Sequence, residues 1–198
     1  MFDVVELVRA AGYMGLFAII FSECGLLFGA IFPGDSLLFT AGLIASRGYL
    51  NIFVLVPLLF VAAVLGDNVG YFIGKKTGPR VFNREESFFF RKENAEVARR
   101  FFERHGPKSI VLARFMPILR TFAPVLAGVG RMDYKTFFRF NLVGGALWSI
   151  GITLAGFFLG NVIPDVDKYL LPIVGVIVLT SFYPLIPHLF KRARRKRE

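Results

Sequence analysis

Apolar residues in this chain are gathered into five long blocks, and that arrangement admits few folds. The blocks run over 12–45, 50–73, 107–130, 137–160 and 169–190. Apolar residues that arrive in runs, instead of alternating with polar ones, point to lipid as the solvent. Composition agrees: 55% of the residues are hydrophobic and 19% are charged, against about 25% charged in soluble domains. The second, fourth and fifth blocks have 22 to 24 residues. At about 1.5 Å per residue they reach roughly 33 to 36 Å, enough for a hydrocarbon core of about 30 Å. These three are predicted to be membrane-spanning helices, the fifth kinked near both ends by Pro172, Pro184 and Pro187.

The first and third blocks are different. Phe32-Pro33-Gly34-Asp35-Ser36 interrupts the first, and the limb after it, 36–45, has ten residues. Ten helical residues cover about 15 Å, half of the crossing. Pro117 and Pro124 break the third block and leave 125–130 too short to cross. Both blocks are predicted to be re-entrant helical hairpins, the first at about 12–46 and the second at about 107–130. Irregular backbone at membrane depth is tolerated only inside protein or against water. A kinked spanning helix is the alternative in each case.

Net charge is +10, with 24 Lys and Arg, ten of them between Lys75 and Lys108 and six within the last eight residues. The basic clusters flank apolar segments, so they set topology and contact anionic lipid; no fold-level motif for nucleic acid accompanies them. Blocks four and five are two successive crossings, which puts the 75–108 segment and the 191–198 tail on one side, the cytoplasm. The link at 161–168 then lies outside, hairpin one dips in from the outer face and hairpin two from the inner. Opposed hairpins mark an inverted-repeat transporter. Residues 1–190 are expected to form one membrane domain followed by a basic cytoplasmic tail at 191–198. Residues 92–104, helped by Phe88, Phe89 and Phe90, form either an interfacial helix or a solvated linker helix. Cys24 is the single cysteine and reads as a packing residue; Asp3 and Glu6 against Arg9 argue against a cleavable signal peptide, so the first block is expected to stay.

Within the apolar blocks the ionisable residues are few: Glu23, Asp35, Asp67, Arg114 and Arg120. Four charges placed independently near a bilayer centre would cost about 10 to 14 kcal/mol, comparable to the whole stability of an ordinary domain. They must therefore be paired, hydrated or neutralised. Glu23 and Asp35 belong to hairpin one, Arg114 and Arg120 to hairpin two, so two acids face two bases if the tips meet. A buried carboxylate whose cationic partner moves away takes up a proton, and an arginine fork suits phosphate. A structural ion-pair network is the competing reading. Asp67 sits where Gly66, Gly70 and Gly74 make a smooth helix face, and is expected to pack or cap there in preference to joining the polar cluster. No multi-cysteine or histidine metal spacing is present, and no cofactor is expected beyond the proton, with Na+ open as coupling ion.

Several motifs together resemble the DedA family of membrane proteins, also described by the VTT domain. They are Glu23 twelve residues before Asp35 in Phe32-Pro33-Gly34-Asp35; Gly66-Asp67 to Gly74-Lys75; Phe102-Glu103-Arg104-His105-Gly106; Arg114-Phe115-Met116-Pro117 followed by Arg120-Thr121-Phe122-Ala123-Pro124; Ala127-Gly128; and Asn141 with Gly144 and Trp148. The resemblance covers about 12–160. It implies an all-α integral protein of the bacterial inner membrane with opposed hairpins and about three spanning helices. It also implies transport dependent on the proton-motive force, with acids and arginines matching Glu23, Asp35, Arg114 and Arg120 needed for function. The implied substrates are lipid phosphates such as undecaprenyl phosphate, or phospholipids. Three rival functions stay open: a proton-coupled carrier or exporter of small ions or cationic drugs, a membrane enzyme acting on lipid phosphates, and a scaffold without transport activity. The enzyme would want a nucleophile and base, and His105 and His188 are poorly placed to serve. Membrane lipids are the expected partners, with a homo-oligomer possible and no nucleic acid.

Overall fold

The computed structural model describes residues 4–25, 34–81, 102 and 104–162. The fifth apolar block, the 191–198 tail, Pro33, His188 and most of the segment considered for an interfacial helix lie outside the described residues. Among the described residues every regular element is helical: α1 (Val4–Gly25), α2 (Gly34–Ser46), α3 (Ile52–Val81), α4 (Lys108–Ala113), α5 (Pro117–Val129), α6 (Tyr134–Gly145), a π-helical turn (Ala146–Ile150) and α7 (Gly151–Val162).

Two stretches are long and apolar enough to cross a membrane, Ile52–Thr77 with 26 residues and Tyr134–Val162 with 29. At about 1.5 Å per residue each exceeds a 30 Å core. They match the second and fourth apolar blocks: the first begins two residues inside its block and runs four residues past its end, and the second extends three residues before and two after its block. The second stretch is continuous from α6 through the π turn to α7. The apolar helices at Gly12–Gly25, Gly34–Ser46 and Leu119–Val129 are too short to cross alone. Gly12 sets the first of these limits: its φ of 55° and ψ of −160° break α1 into two pieces, a conformation open to glycine at little cost.

The third block departs from expectation. Of its two prolines only Pro117 marks a break, at the first residue of α5 after the turn at 114–116; Pro124 lies inside α5, which continues to Val129. Proline at the first helical position loses nothing, since that N–H has no helical partner. Pro124 instead removes the N–H that would otherwise reach the carbonyl of Arg120, one turn back. The limb after the first block's interruption is also longer than the ten residues expected: α2 starts at Gly34 and has 13 residues.

Helices pack across the chain's two halves. α2 lies against α7, and α5 lies against α3, so each half's short apolar helix rests on the other half's long one. Glycines permit both crossings. Gly42 meets the Thr153 carbonyl while Gly156 meets that of Phe39; Gly74 meets the Val125 carbonyl while Gly128 meets that of Tyr71, with no room for a side chain at any of the four. The Gly66, Gly70 and Gly74 face packs as expected, on Cys24 and Gly25 of α1 and on Pro124 and Val125 of α5. Cys24 is buried there, in the packing role assigned to it.

Two apolar cores result. One gathers Leu16 and Ile20 with Leu38, Ala41, Leu55, Leu59 and Trp148; the other centres on Tyr71, Ile110, Ala127 and Phe137, with Tyr71 stacked on Phe137 at 4.5 Å between ring centres. Outside the spanning stretch, Asp133 caps α6, accepting from the Thr136 amide at 2.9 Å and its hydroxyl at 3.0 Å. Those hydrogen bonds hold its carboxyl below the usual aspartate range.

Candidate functional site

All five ionisable residues of the apolar blocks are brought into two ion clusters, and four of them stand at or near helix ends. Glu23 is two residues from the end of α1, Asp35 is the second residue of α2, Arg114 terminates α4 and Arg120 lies in the first turn of α5. Helix ends leave backbone donors and acceptors unmet, so charged side chains find partners there at short range. Glu23 uses this: its Oε1 accepts the Gly34 amide at 3.2 Å, seating a carboxylate on the N-terminus of α2. The carboxylate presses on Gly34 so closely that no side chain fits at that position.

Arg120 joins the halves. Its Nη2 donates to Glu23 Oε1 and its Nη1 to Asp35 Oδ1, the latter at 2.8 Å. Glu23 is fully buried and Arg120 nearly so, while the Asp35 side chain is 32% exposed, making Asp35 the open edge of the cluster. Asp35 Oδ1 also accepts the indole N–H of Trp148 at 2.6 Å, and the Arg120 guanidinium lies over the Trp148 ring, 4.4 Å from its centre. A cation in the first turn of a helix opposes the helix dipole, so Arg120 relies on its two carboxylates and the ring face.

Arg114 does not meet Glu23 or Asp35. Its Nη2 donates to Asp67 and to the Asn141 side-chain carbonyl. Asn141 in turn donates to the Val64 carbonyl at 3.2 Å, and the same carbonyl accepts from Asn68 at 2.7 Å. Gly144 makes room for the arginine stem, since a β-carbon there would stand 2.9 Å from Arg114 Cδ. The expected grouping of two acids with two bases is thus corrected: one arginine takes both hairpin-one acids and the other takes Asp67. The expectation that Asp67 packs or caps is corrected with it: one residue past Gly66 is about 100° around α3, off the glycine face, and there its carboxylate pairs with Arg114 at the end of α4.

Among the secondary residues, Gly34 supplies a backbone donor, Pro117 starts α5 and Pro124 sits one turn after Arg120; Pro33 is outside the described residues. In the sequence Asn141 and Trp148 stand out only as parts of the motif pattern. An uncharged amide and an indole N–H inside a spanning block were the available signal, and a survey of ionisable groups alone passes over both. Among the described residues no group of three or more His, Cys, Asp or Glu could hold a metal ion. Several buried polar atoms, including Glu23 Oε2, Asp67 Oδ1, Arg120 Nε and Arg114 Nε and Nη1, make no hydrogen bond among the described residues. Each cluster therefore keeps hydrogen-bonding capacity beyond its internal pairs.

Fold and site together define a helical membrane protein in which ion pairs are buried between broken short helices and long apolar ones. The model of the VTT domain matches residues 32–158. Over 197 residues the chain is 42% identical to Protein DedA of Escherichia coli strain K12, covering 97% of this chain and 88% of that protein. It is 49% identical over 168 residues to an uncharacterized membrane protein of Mycobacterium leprae, covering 85% of this chain and 75% of the other. Identity to the inner membrane protein YqjA of Escherichia coli strain K12 is 34% over 149 residues, or 75% of this chain and 68% of that one. The chain belongs to the DedA family, the membrane proteins that share the VTT domain. No solved structure matches it.

Proposed function

We propose that the protein is a transporter driven by the proton-motive force that moves a lipid phosphate, undecaprenyl phosphate or a phospholipid, between the leaflets of a bacterial inner membrane. The observation that carries this reading is the charge of the buried clusters. Glu23, Asp35 and Asp67 against Arg114 and Arg120 leave one negative charge in excess, and it falls in the cluster whose Asp35 is partly open. A proton is the smallest neutraliser of that charge at membrane depth, where an uncompensated ion costs several kcal/mol. Once a proton neutralises one carboxylate, Arg120 is balanced by the other, the excess negative charge that would repel a phosphate is gone, and the arginine fork suits such a head group. The acyl chains would stay in the bilayer while the head group crosses through the polar site.

The short apolar helices enter as two re-entrant hairpins from opposite faces, α1 with α2 and α4 with α5. The doubled exchange of short helix onto long helix, with reciprocal glycines at each crossing, supports an inverted repeat. The chain crosses the membrane several times, with the 191–198 tail in the cytoplasm, and it acts without enzymatic chemistry, metal or organic cofactor. The proton is the coupling ion.

Purified protein in liposomes, loaded with labelled undecaprenyl phosphate or phospholipid and given or denied a proton gradient, tests the reading. Gradient-dependent leaflet exchange is expected, unaffected by soluble ions or cationic drugs and abolished by Glu23→Gln, Asp35→Asn, Arg114→Ala and Arg120→Ala in folded protein. Exchange that survives Arg120→Ala refutes the phosphate role, competition by a soluble solute favours a small-ion carrier, and release of free phosphate favours an enzyme.

A further inference from the structure

The long helix that carries Trp148 is regular except at one place. Between α6 and α7 the backbone widens into a π-helical turn at Ala146–Ile150, with Trp148 at its centre. Such turns are rare, weaken the local hydrogen-bond ladder and occur often at functional sites. Here Ser149 contributes a partner, its hydroxyl donating to the Gly145 carbonyl at 2.7 Å. The extra residue in the turn offsets the faces of α6 and α7. α6 presents Asn141 and Gly144 to Arg114, α7 presents Thr153 and Gly156 to α2, and Trp148 between them reaches the start of α2.

Trp148 is 1% exposed and touches the cluster in two ways at once. Its N–H shares Asp35 Oδ1 with Arg120, and its ring face covers the Arg120 guanidinium. The first contact stabilises Asp35 while it is paired; the second stabilises the Arg120 cation whether or not Asp35 is paired with it. Glu23 and Asp35 are carried by α1 and α2 and Arg120 by α5, so Trp148 is the cluster's contact with the long α6–α7 helix.

We propose that Trp148, set inward by the π turn, is a positioning residue that holds Asp35 and Arg120 in register and ties release of Asp35 from Arg120 to movement of the α6–α7 helix. It acts through those two side chains and not on the transported lipid. This inference rests on the transport reading for its consequence in turnover, but the contact itself is measurable without transport.

Trp148 is the chain's single tryptophan, so its fluorescence in the full-length protein, excited to avoid tyrosine, reports the cluster directly. Asp35→Asn and Arg120→Lys should each shift its emission, and Arg114→Lys, in the other cluster, should leave it in place. Trp148→Phe keeps a ring over Arg120 and loses the donor to a charged group, so undecaprenyl phosphate exchange in vesicles should slow about tenfold in protein that remains folded. Trp148→Leu, without ring face or donor, should slow it further. Wild-type exchange rates in Trp148→Phe, or emission indifferent to both Asp35→Asn and Arg120→Lys, would overturn the proposal. Should the wild-type protein exchange no lipid, the transport reading fails by itself; a shift in emission then still upholds the positioning contact, and an unmoved emission removes it.

Discussion

Replacing Arg120 by methionine probes the division into two clusters most directly. Arg120 is 4% exposed, and its removal strands two carboxylates, Glu23 with no exposure and Asp35 with 32%. Breaking a buried ion pair from one side costs about 3 to 5 kcal/mol, because the remaining charge is left without compensation. Adding Glu23→Gln to the same chain removes one stranded charge, so the double variant should recover about 1 to 3 kcal/mol of that loss. Arg114 shares no hydrogen-bond partner with Glu23, so Arg114→Met combined with Glu23→Gln should be additive to within about 0.5 kcal/mol. Denaturant titration in mixed detergent micelles, on wild type, the three single variants and the two double variants, yields both interaction energies. Equal coupling of Glu23 to Arg114 and to Arg120 would refute the two-cluster arrangement and restore the single group of four charges expected from sequence.

Asp67→Asn leaves Arg114, itself 2% exposed, without its carboxylate, so it should abolish leaflet exchange as fully as Arg114→Ala; near-normal exchange would return Asp67 to a packing role. Gly42→Val or Gly156→Val drives a side chain into a backbone carbonyl across the α2–α7 crossing and should lower stability by at least about 1 to 3 kcal/mol, whereas Gly151→Ala, with nothing near its β-carbon, should leave the melting temperature unchanged or raise it. The carboxyl of Asp133 is held low in the folded chain, so its capping contribution is present above the unfolded aspartate value and is lost as pH falls through the lower, folded one. The melting difference between wild type and Asp133→Ala should therefore hold near neutral pH and narrow only below about pH 4.

Much of this organisation was legible in the residues. Blocks two and four were long and uninterrupted, and both appear as helices able to cross a membrane, because length and apolarity act locally. Gly66, Gly70 and Gly74 announced a packing face by spacing alone, and α1 and α5 occupy it. Pro124 misled, since a proline interrupts one hydrogen bond but ends a helix only where the neighbours cannot hold it. The surrounding packing, Gly70 against its ring, keeps α5 intact to Val129.

Sequence by itself determined that this chain lives in lipid, which residues are too costly to leave alone there, and therefore that Glu23, Asp35, Arg114 and Arg120 must find partners. Only the tertiary structure decided who the partners are. Pairing depends on where helix ends and faces meet, and reciprocal glycine crossings place α5 against α3 and α2 against α7. From that placement Arg120 reaches both Glu23 and Asp35, Arg114 is left to Asp67 and Asn141, and one unbalanced carboxylate remains. Trp148 enters for the same reason: a widened turn deep in a spanning helix aims it at Asp35, and no local spacing rule foretells that turn.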